Sequence, residues 1–186
     1  MIILISLATF VSTLLGGLFV LKFGDKLHLI LGFSAGAVVG VAFFDLIPEA
    51  IELGSQMYDV STITSITAAG FIFYMILDRL VVLHNHDERG QLGAGSFSIH
   101  SFLDGVAIGL AFQVSAAVGA IVAIAVLVHD FSDGINTVNL ILKNQGNRRT
   151  AMRWLFVDAL APMVGVISTL FFSLPESILG IVLAVF

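Results

Sequence analysis

Residues 116–142 read AAVGAIVAIAVLVHDFSDGINTVNLIL, and the only charged side chains in this stretch belong to Asp130 and Asp133. A helix rises about 1.5 Å per residue, so roughly 20 apolar residues suffice to cross the ~30 Å hydrocarbon core of a bilayer. The stretch therefore predicts a membrane-spanning helix that carries polar groups in its second half.

The composition of the whole chain also indicates a membrane protein. Of its 186 residues, 58% are hydrophobic and only 11% are charged, and the mean hydropathy is +1.06. A soluble domain of this length has about 45–50% apolar and about 25% charged residues. The sequence contains no cysteine, which excludes disulfides and thiolate ligands, and it has no basic patch that would suggest nucleic acid. The N-terminus lacks the features of a signal peptide.

Five more stretches are apolar and long enough to span a membrane. The six predicted spans cover residues 2–21, 27–51, 62–83, 93–114, 116–142 and 151–172. A seventh apolar segment, residues 177–186, would rise only ~15 Å as a helix and would not cross the bilayer. A short interfacial tail is the alternative interpretation of that segment. We therefore expect an all-α polytopic transmembrane helical bundle with six full spans and a partial seventh, in a single domain over residues 1–186.

The basic residues predict the orientation of the bundle. All eight lie at the first, third and fifth connections: Lys22, Lys26, Arg79, Arg89, Lys143, Arg148, Arg149 and Arg153. Connections rich in Lys and Arg stay on the cytoplasmic side of a membrane. We therefore expect the odd-numbered connections to be cytoplasmic and the N-terminus to lie outside.

One hexapeptide pattern occurs in both the fourth and the fifth span. Residues 100–105 read HSFLDG and residues 129–134 read HDFSDG, so both follow His-x-Phe-x-Asp-Gly. Residues four apart share a helix face, which pairs His100 with Asp104 and His129 with Asp133. At the helical rise, both pairs lie ~15–25 Å along their spans, near the middle of the membrane. The two pairs can face each other at one level, with Asp130 beside them.

Ionisable side chains at this depth need partners. Each costs about 3 kcal/mol on insertion scales, and no Lys or Arg lies at the same depth. A divalent cation would offset the repulsion among the three aspartates, and a set of imidazoles and carboxylates suits Zn²⁺, Fe²⁺ or Mn²⁺. Hydrogen bonds between helices and a proton relay without metal are the alternatives that the residues leave open.

Further polar residues flank the predicted cluster. Ser101 is one position from His100, and Asp158 lies one turn before Pro162, which frees a carbonyl group of the kind often found beside a cavity. Residues 84–88, HNHDE, form a polar loop that either binds metal transiently or is simply solvated. The second span ends in an acidic stripe that could collect cations or be a plain polar helix end: Asp45, Glu49 and Glu52.

At these residues the sequence resembles the ZIP (Zrt/Irt-like) family of divalent-metal transporters. In that family the fourth helix carries a pattern like His-Asn-x-x-(Asp/Glu)-Gly. The fifth helix carries one like (His/Gln)-(Glu/Asp/Asn)-x-Pro-(His/Glu)-(Glu/Gly). Residues 44–50, FDLIPEA, also look like the end of the family's second helix. The likeness runs through essentially all six spans.

The resemblance implies two adjacent metal positions. The primary transport site would be formed by His100, Asp104, His129 and Asp133. Asp104, Asp130 and Asp133 would contribute to a second site.

Three departures from the family pattern bear on these sites. Ser101 stands where Asn is usual, and Ser132 replaces the proline of the fifth helix. Ala161 occupies a position where some relatives have an acidic ligand, a role that Asp158 could take. The family has eight helices, so the resemblance implies that this chain is incomplete at its C-terminus.

We therefore predict a transporter that moves divalent metal, with zinc as the first choice, toward the cytoplasm, and that is not an enzyme. No catalytic cofactor is expected, and the transported metal could also be iron or manganese. The expected partners are divalent metal ions and the lipid bilayer, with a homodimer as a candidate assembly and no nucleic acid. The predicted location is the inner membrane of a prokaryotic cell.

Two other functions fit parts of the sequence. An intramembrane metal-dependent hydrolase would direct a metal-activated water at a lipid amide or ester and could recruit Ser101. Such an enzyme needs its metal near an interface with a lateral opening, whereas a carrier needs it near the midplane. A channel or proton pathway without metal predicts a purified protein that contains no metal. Ligand depth and metal analysis therefore separate the three functions.

Overall fold

The computed structural model describes residues 2–23, 32, 35–36, 39–84, 89–144 and 146–185. Regular structure in these ranges is entirely helical, which confirms the all-α class. The helices are α1 (Ile2–Phe23), α2 (Ile47–Gly54), α3 (Val60–His84), α4 (Arg89–Val114), α5 (Ala116–Lys143), α6 (Arg148–Ser168) and α7 (Glu176–Val185). A π-helical turn, Ala42–Leu46, precedes α2, and a 3₁₀ turn, Thr169–Phe171, follows α6.

The lengths of the helices agree with a membrane bundle. Within the described residues, four helical segments are long and apolar enough to cross a bilayer: Ile2–Lys22, Gly90–Val114, Ala116–Lys143 and Arg148–Phe171. They correspond to the first, fourth, fifth and sixth predicted spans. Helix α3 has 25 residues and covers the third, and α7 has ten residues, as expected for the partial seventh. The protein is an integral membrane protein. Most of the first half of the predicted second span and most of the loop at 84–88 lie outside the described residues.

The described end of the second span is distorted ahead of a proline. Pro48 has no N–H with which to bond the carbonyl group four residues earlier, and the π turn lies directly before it. The wider turn alters the spacing of the side chains around the helix. Asp45 and Glu52 are exposed, whereas Glu49 is buried. The three acidic side chains therefore differ in exposure, and a role for this stripe in collecting cations stays a prediction.

Helices α4, α5 and α6 pack against one another, and α1 packs against α5 and α6. Glycines allow the closest of these approaches. A Cβ atom on Gly105 would overlap the carbonyl oxygen of Pro162 in α6, and one on Gly134 would overlap the carbonyl oxygen of Thr13 in α1. Small residues at such crossings let helix backbones pack tightly inside a membrane. In each hexapeptide, the aspartate is therefore followed directly by the glycine that lies at a helix crossing.

The buried core consists of two apolar clusters. We call the end of the bundle that carries Lys143 and Arg148 the inner end, and the opposite end, at Ser115, the outer end. The inner cluster contains Val20, Ala94, Ile135, Val138, Ile141, Ala151 and Leu155. The outer cluster contains buried residues of six helices, including Ala107, Ile108, Val122, Val126, Val166 and Leu179. Along α4, α5 and α6, buried polar side chains occupy the level between these clusters.

The helix crossing at Gly134 generates a stability prediction. Gly134→Ala places a methyl group against a main-chain carbonyl that cannot rotate away, and overpacking of this kind typically costs about 1–3 kcal/mol. We expect the unfolding midpoint of the detergent-solubilised protein to fall by several degrees. Gly40→Ala is the matched control, because a Cβ atom there meets no atom of the described residues within 4 Å. An equal midpoint for the two variants would contradict the close α1–α5 contact.

Candidate metal centre

Helices α4 and α5 bring four metal-ligating side chains together between the two apolar clusters. His100 and Asp104 come from α4, and His129 and Asp133 come from α5. One ligand atom from each of the four lies within 4.8 Å of the other three. The i, i+4 spacing on each helix therefore produces a single cluster, as the two hexapeptides predicted. We call these four residues the His–Asp cluster.

Asp104 lies at the centre of this cluster. Its Oδ1 is 3.3 Å from Nε2 of His129, and its Oδ2 is 3.8 Å from Nε2 of His100. Nε2 of His129 is also 3.9 Å from Oδ2 of Asp133. The two imidazole rings lie 5.7 Å apart between their centroids and are inclined by 38°. One carboxylate thus connects ligands of two helices, so the cluster depends on the α4–α5 packing.

The tautomer of His129 is suited to metal binding. Its Nδ1 lies 3.0 Å from the carbonyl oxygen of Ala125 in the preceding turn. A carbonyl oxygen only accepts hydrogen bonds, so Nδ1 must carry the hydrogen and donate it. In the neutral ring, Nε2 then has a free lone pair, and this nitrogen points toward the two carboxylates. A backbone carbonyl that fixes the ring in this way is a common second contact of metal-ligating histidines.

Several of the buried ligand atoms lack hydrogen bonds. Among the described residues, both oxygens of Asp104, Nε2 of His129 and Oδ2 of Asp133 have no hydrogen bond. Buried polar atoms without partners are costly, and those in a membrane interior especially so. Tetrahedral zinc places its donor atoms about 3.3–3.4 Å apart, given bonds of 2.0–2.1 Å. Shifts on the order of 1 Å would therefore bring the cluster to a zinc geometry.

Asp130 is fully buried beside the cluster but does not belong to the group of four. Neither of its carboxylate oxygens has a hydrogen-bond partner in the described structure. It lies close enough to Asp104 and Asp133 for their charges to repel. Its predicted contribution to a second metal position stays a prediction, and its unpaired oxygens are compatible with that role.

Ser101 and Asp158, the other two predicted site residues, bond to each other instead of joining the cluster. Oγ of Ser101 donates to Oδ1 of Asp158 over 2.8 Å, and Oγ1 of Thr137 donates to Oδ2 over 2.8 Å. All three side chains are buried. Thr137 was missed by the sequence analysis, although its position four residues after Asp133 places it on the same face of α5.

Access to the cluster is greatest at His100, whose side chain is 25% exposed, whereas that of Asp104 is fully buried. The ring of Tyr74 in α3 lies edge-on to the His100 ring, with 6.3 Å between centroids. Tyr74 is the second residue that the sequence analysis missed. The sequence feature that could have drawn attention to Tyr74 is that the chain contains only two tyrosines.

Comparisons with known proteins agree with this geometry. The profile of the ZIP zinc transporter family matches residues 82–185, which is more than half of the chain. Protein zntB of Dictyostelium discoideum is 35% identical over 85 residues, which cover 43% of this chain and 21% of that protein. Zinc transporter ZIP13 of Pongo abelii is 23% identical over 150 residues, 73% of this chain and 45% of that protein. The chain spans less than half the length of the curated relatives it matches.

The unpaired ligand atoms predict stabilisation by metal. A cation that binds only the folded protein raises its stability by about 2.7 kcal/mol at 100 times the dissociation constant. We expect Zn²⁺ to raise the unfolding midpoint of metal-stripped protein in detergent, and His129→Ala to remove most of that increase. Asp59→Asn, a change in an exposed loop between α2 and α3, should leave the increase intact. A metal-induced increase of the same size in His129→Ala would contradict the assignment of this cluster.

Proposed function

Because the chain belongs to the ZIP zinc transporter family, we propose that it carries divalent metal cations across a membrane through the His–Asp cluster. The direction of transport that the predicted orientation supports is toward the cytoplasm. The cation is cargo, so the site must bind it and then release it.

The observation that carries this proposal is the set of unpaired, buried ligand atoms between two apolar clusters. The inner cluster lies toward one end of the bundle from these atoms, and the outer cluster lies toward the other. A lipid hydrolase would need its metal near an interface, and the level of this cluster does not favour one. The hydroxyl of Ser101, which the hydrolase alternative would recruit, is engaged with Asp158. A transport site is the function that this placement supports best.

A cation would first meet His100, the most accessible member of the cluster. It would exchange water for this imidazole and then bind Asp104, which is within 4 Å of both histidines. His129 and Asp133 would complete the coordination from α5. Coordination by ligands from two helices means that a relative movement of α4 and α5 would separate the ligands. Metal binding also requires deprotonated ligands, so protonation would favour release.

We infer zinc as the first candidate for the cargo. Two imidazoles and two carboxylates suit Zn²⁺, and the absence of cysteine removes the thiolates that make structural zinc sites tight. Fe²⁺ and Mn²⁺ accept the same donor atoms, so competition among the three metals is the measurement that ranks them. The prokaryotic inner membrane and the homodimer stay predictions.

Uptake of labelled zinc by cells producing the full-length protein tests the proposal. His129→Ala and Asp133→Ala each remove a buried ligand, and we expect metal-dependent uptake to fall to background in both. Asp59→Asn serves as the control for changing an aspartate outside the cluster. Membrane abundance of each variant should be measured in parallel. Uptake at wild-type rates in both ligand variants would refute the proposed transport site.

A further inference from the structure

A groove on the exposed side of α6 combines two arginines with apolar side chains. Its lining residues are Arg149, Met152, Arg153, Phe156 and Val157, and its volume is about 680 Å³. Their spacing places all five on one stripe of the helix, and all five side chains are exposed. The groove therefore has a basic half toward the inner end of the bundle and an apolar half toward its middle. We call it the α6 groove.

Neither arginine of the α6 groove has a partner among the described residues. The ion pairs in that part of the chain involve only histidines and aspartates. Arg148, in contrast, donates to the carbonyl oxygen of Leu21 in α1 over 3.1 Å. The first turn of α6 contains no acidic residue. Within the described structure, two positive charges therefore lie one helical turn apart on an exposed surface without a counter-charge.

The depth of the two arginines places their charges near the phospholipid headgroups. Helix α6 has 21 residues, and its middle residue, Asp158, is level with the His–Asp cluster because it bonds to Ser101, the residue after His100. Arg153 is roughly 7–8 Å and Arg149 roughly 13–14 Å from this level toward the inner end. Half of the hydrocarbon core is ~15 Å thick, and an arginine side chain extends from such depths toward the headgroups. Both guanidinium groups can therefore reach phosphates of the leaflet at the inner end.

The apolar half of the groove lies deeper, at the level of the acyl chains. The side chains of Phe156 and Val157 are each about half exposed. The Phe156 ring lies edge-on to that of Phe10 in α1, with 6.0 Å between centroids. Acyl chains are as apolar as these side chains, and a guanidinium group binds phosphate oxygens through two parallel hydrogen bonds. The two halves of the groove therefore match the two parts of a phospholipid.

We propose that the α6 groove binds an anionic phospholipid, with the phosphate at Arg149 and Arg153 and an acyl chain along Phe156 and Val157. Basic pockets at the cytoplasmic side of membrane proteins bind anionic headgroups in this way. A zwitterionic lipid also carries a phosphate, but its cationic group would be repelled by the second arginine. The site goes beyond the proposed transport function and does not depend on it, because no residue of the groove belongs to the His–Asp cluster.

The single tryptophan of the chain, Trp154, directly follows Arg153 and allows a direct test. The protein would be reconstituted in vesicles of equal parts phosphatidylglycerol and phosphatidylcholine, with brominated chains on one lipid or on the other. Bromine quenches tryptophan fluorescence at short range, so the two quenching values give the preference for phosphatidylglycerol near Trp154. We expect Arg149→Gln and Arg153→Gln each to lower this preference by about five-fold, the contribution of one basic side chain near an anionic lipid.

Lys143→Gln is the matched control, because it removes one exposed positive charge from the same end of the bundle but outside the groove. We expect its preference for phosphatidylglycerol to stay within about two-fold of the wild-type value, since salt screens charges that lie more than a Debye length from the lipid. A decrease as large as in the arginine variants would show a diffuse attraction to the membrane surface and overturn the site. Equal quenching by the two brominated lipids in the wild-type protein would overturn it as well.

Soluble glycerol phosphate separates a lipid site from a site for a free phosphate ester. It carries the phosphate of the lipid without the acyl chains. At constant ionic strength, we expect it to leave the preference for phosphatidylglycerol unchanged, because the apolar half of the groove holds a chain that glycerol phosphate lacks. Loss of the preference on adding glycerol phosphate would show that the groove binds a soluble anion and would overturn the lipid assignment.

Discussion

An ionisable side chain in a membrane interior must find a partner, because neither water nor lipid supplies one. The spans of this protein place four aspartates and two histidines at one level, and the structure treats them in two ways. Asp158 receives two hydroxyl donors. Both oxygens of Asp104, Nε2 of His129 and Oδ2 of Asp133 have no hydrogen bond within the described residues. The two arrangements are adjacent, since Ser101, which donates to Asp158, directly follows His100 in α4.

Close helix packing fixes the positions of Asp104 and Asp133. Gly105 follows Asp104 directly and lies against the backbone of α6, while Gly134 follows Asp133 and lies against the backbone of α1. Each aspartate is therefore adjacent to a point where two backbones touch, and its position cannot drift with side-chain motion alone. A binding site whose ligands come from two tightly crossed helices changes only when the helices themselves move. That property suits a site that must alternate between holding and releasing a cation.

Much of the candidate site could be predicted from spacing alone. The pairs formed by His100 with Asp104 and by His129 with Asp133 follow from the helical period, and their common level follows from the rise per residue. The burial of the acidic residues around Pro48 could not be predicted from their spacing, because it depends on which neighbours cover each side chain: Glu49 is buried, whereas Asp45 and Glu52 are exposed. Thr137 was missed because a threonine in an apolar span usually bonds within its own helix, as Thr13 does.

The sequence by itself determined the helical class, the principal spans and the ligand pair that each of two helices presents, because these depend on periods that act within one segment. Only the tertiary structure decided which side chains meet across helices. Asp104 contacts both histidines, and Asp158 accepts a hydrogen bond from Ser101, 57 residues away in the chain. Such choices depend on the rotation and register of packed helices. Contacts between distant segments, such as those at Gly105 and Gly134, set that register, and no local pattern encodes it.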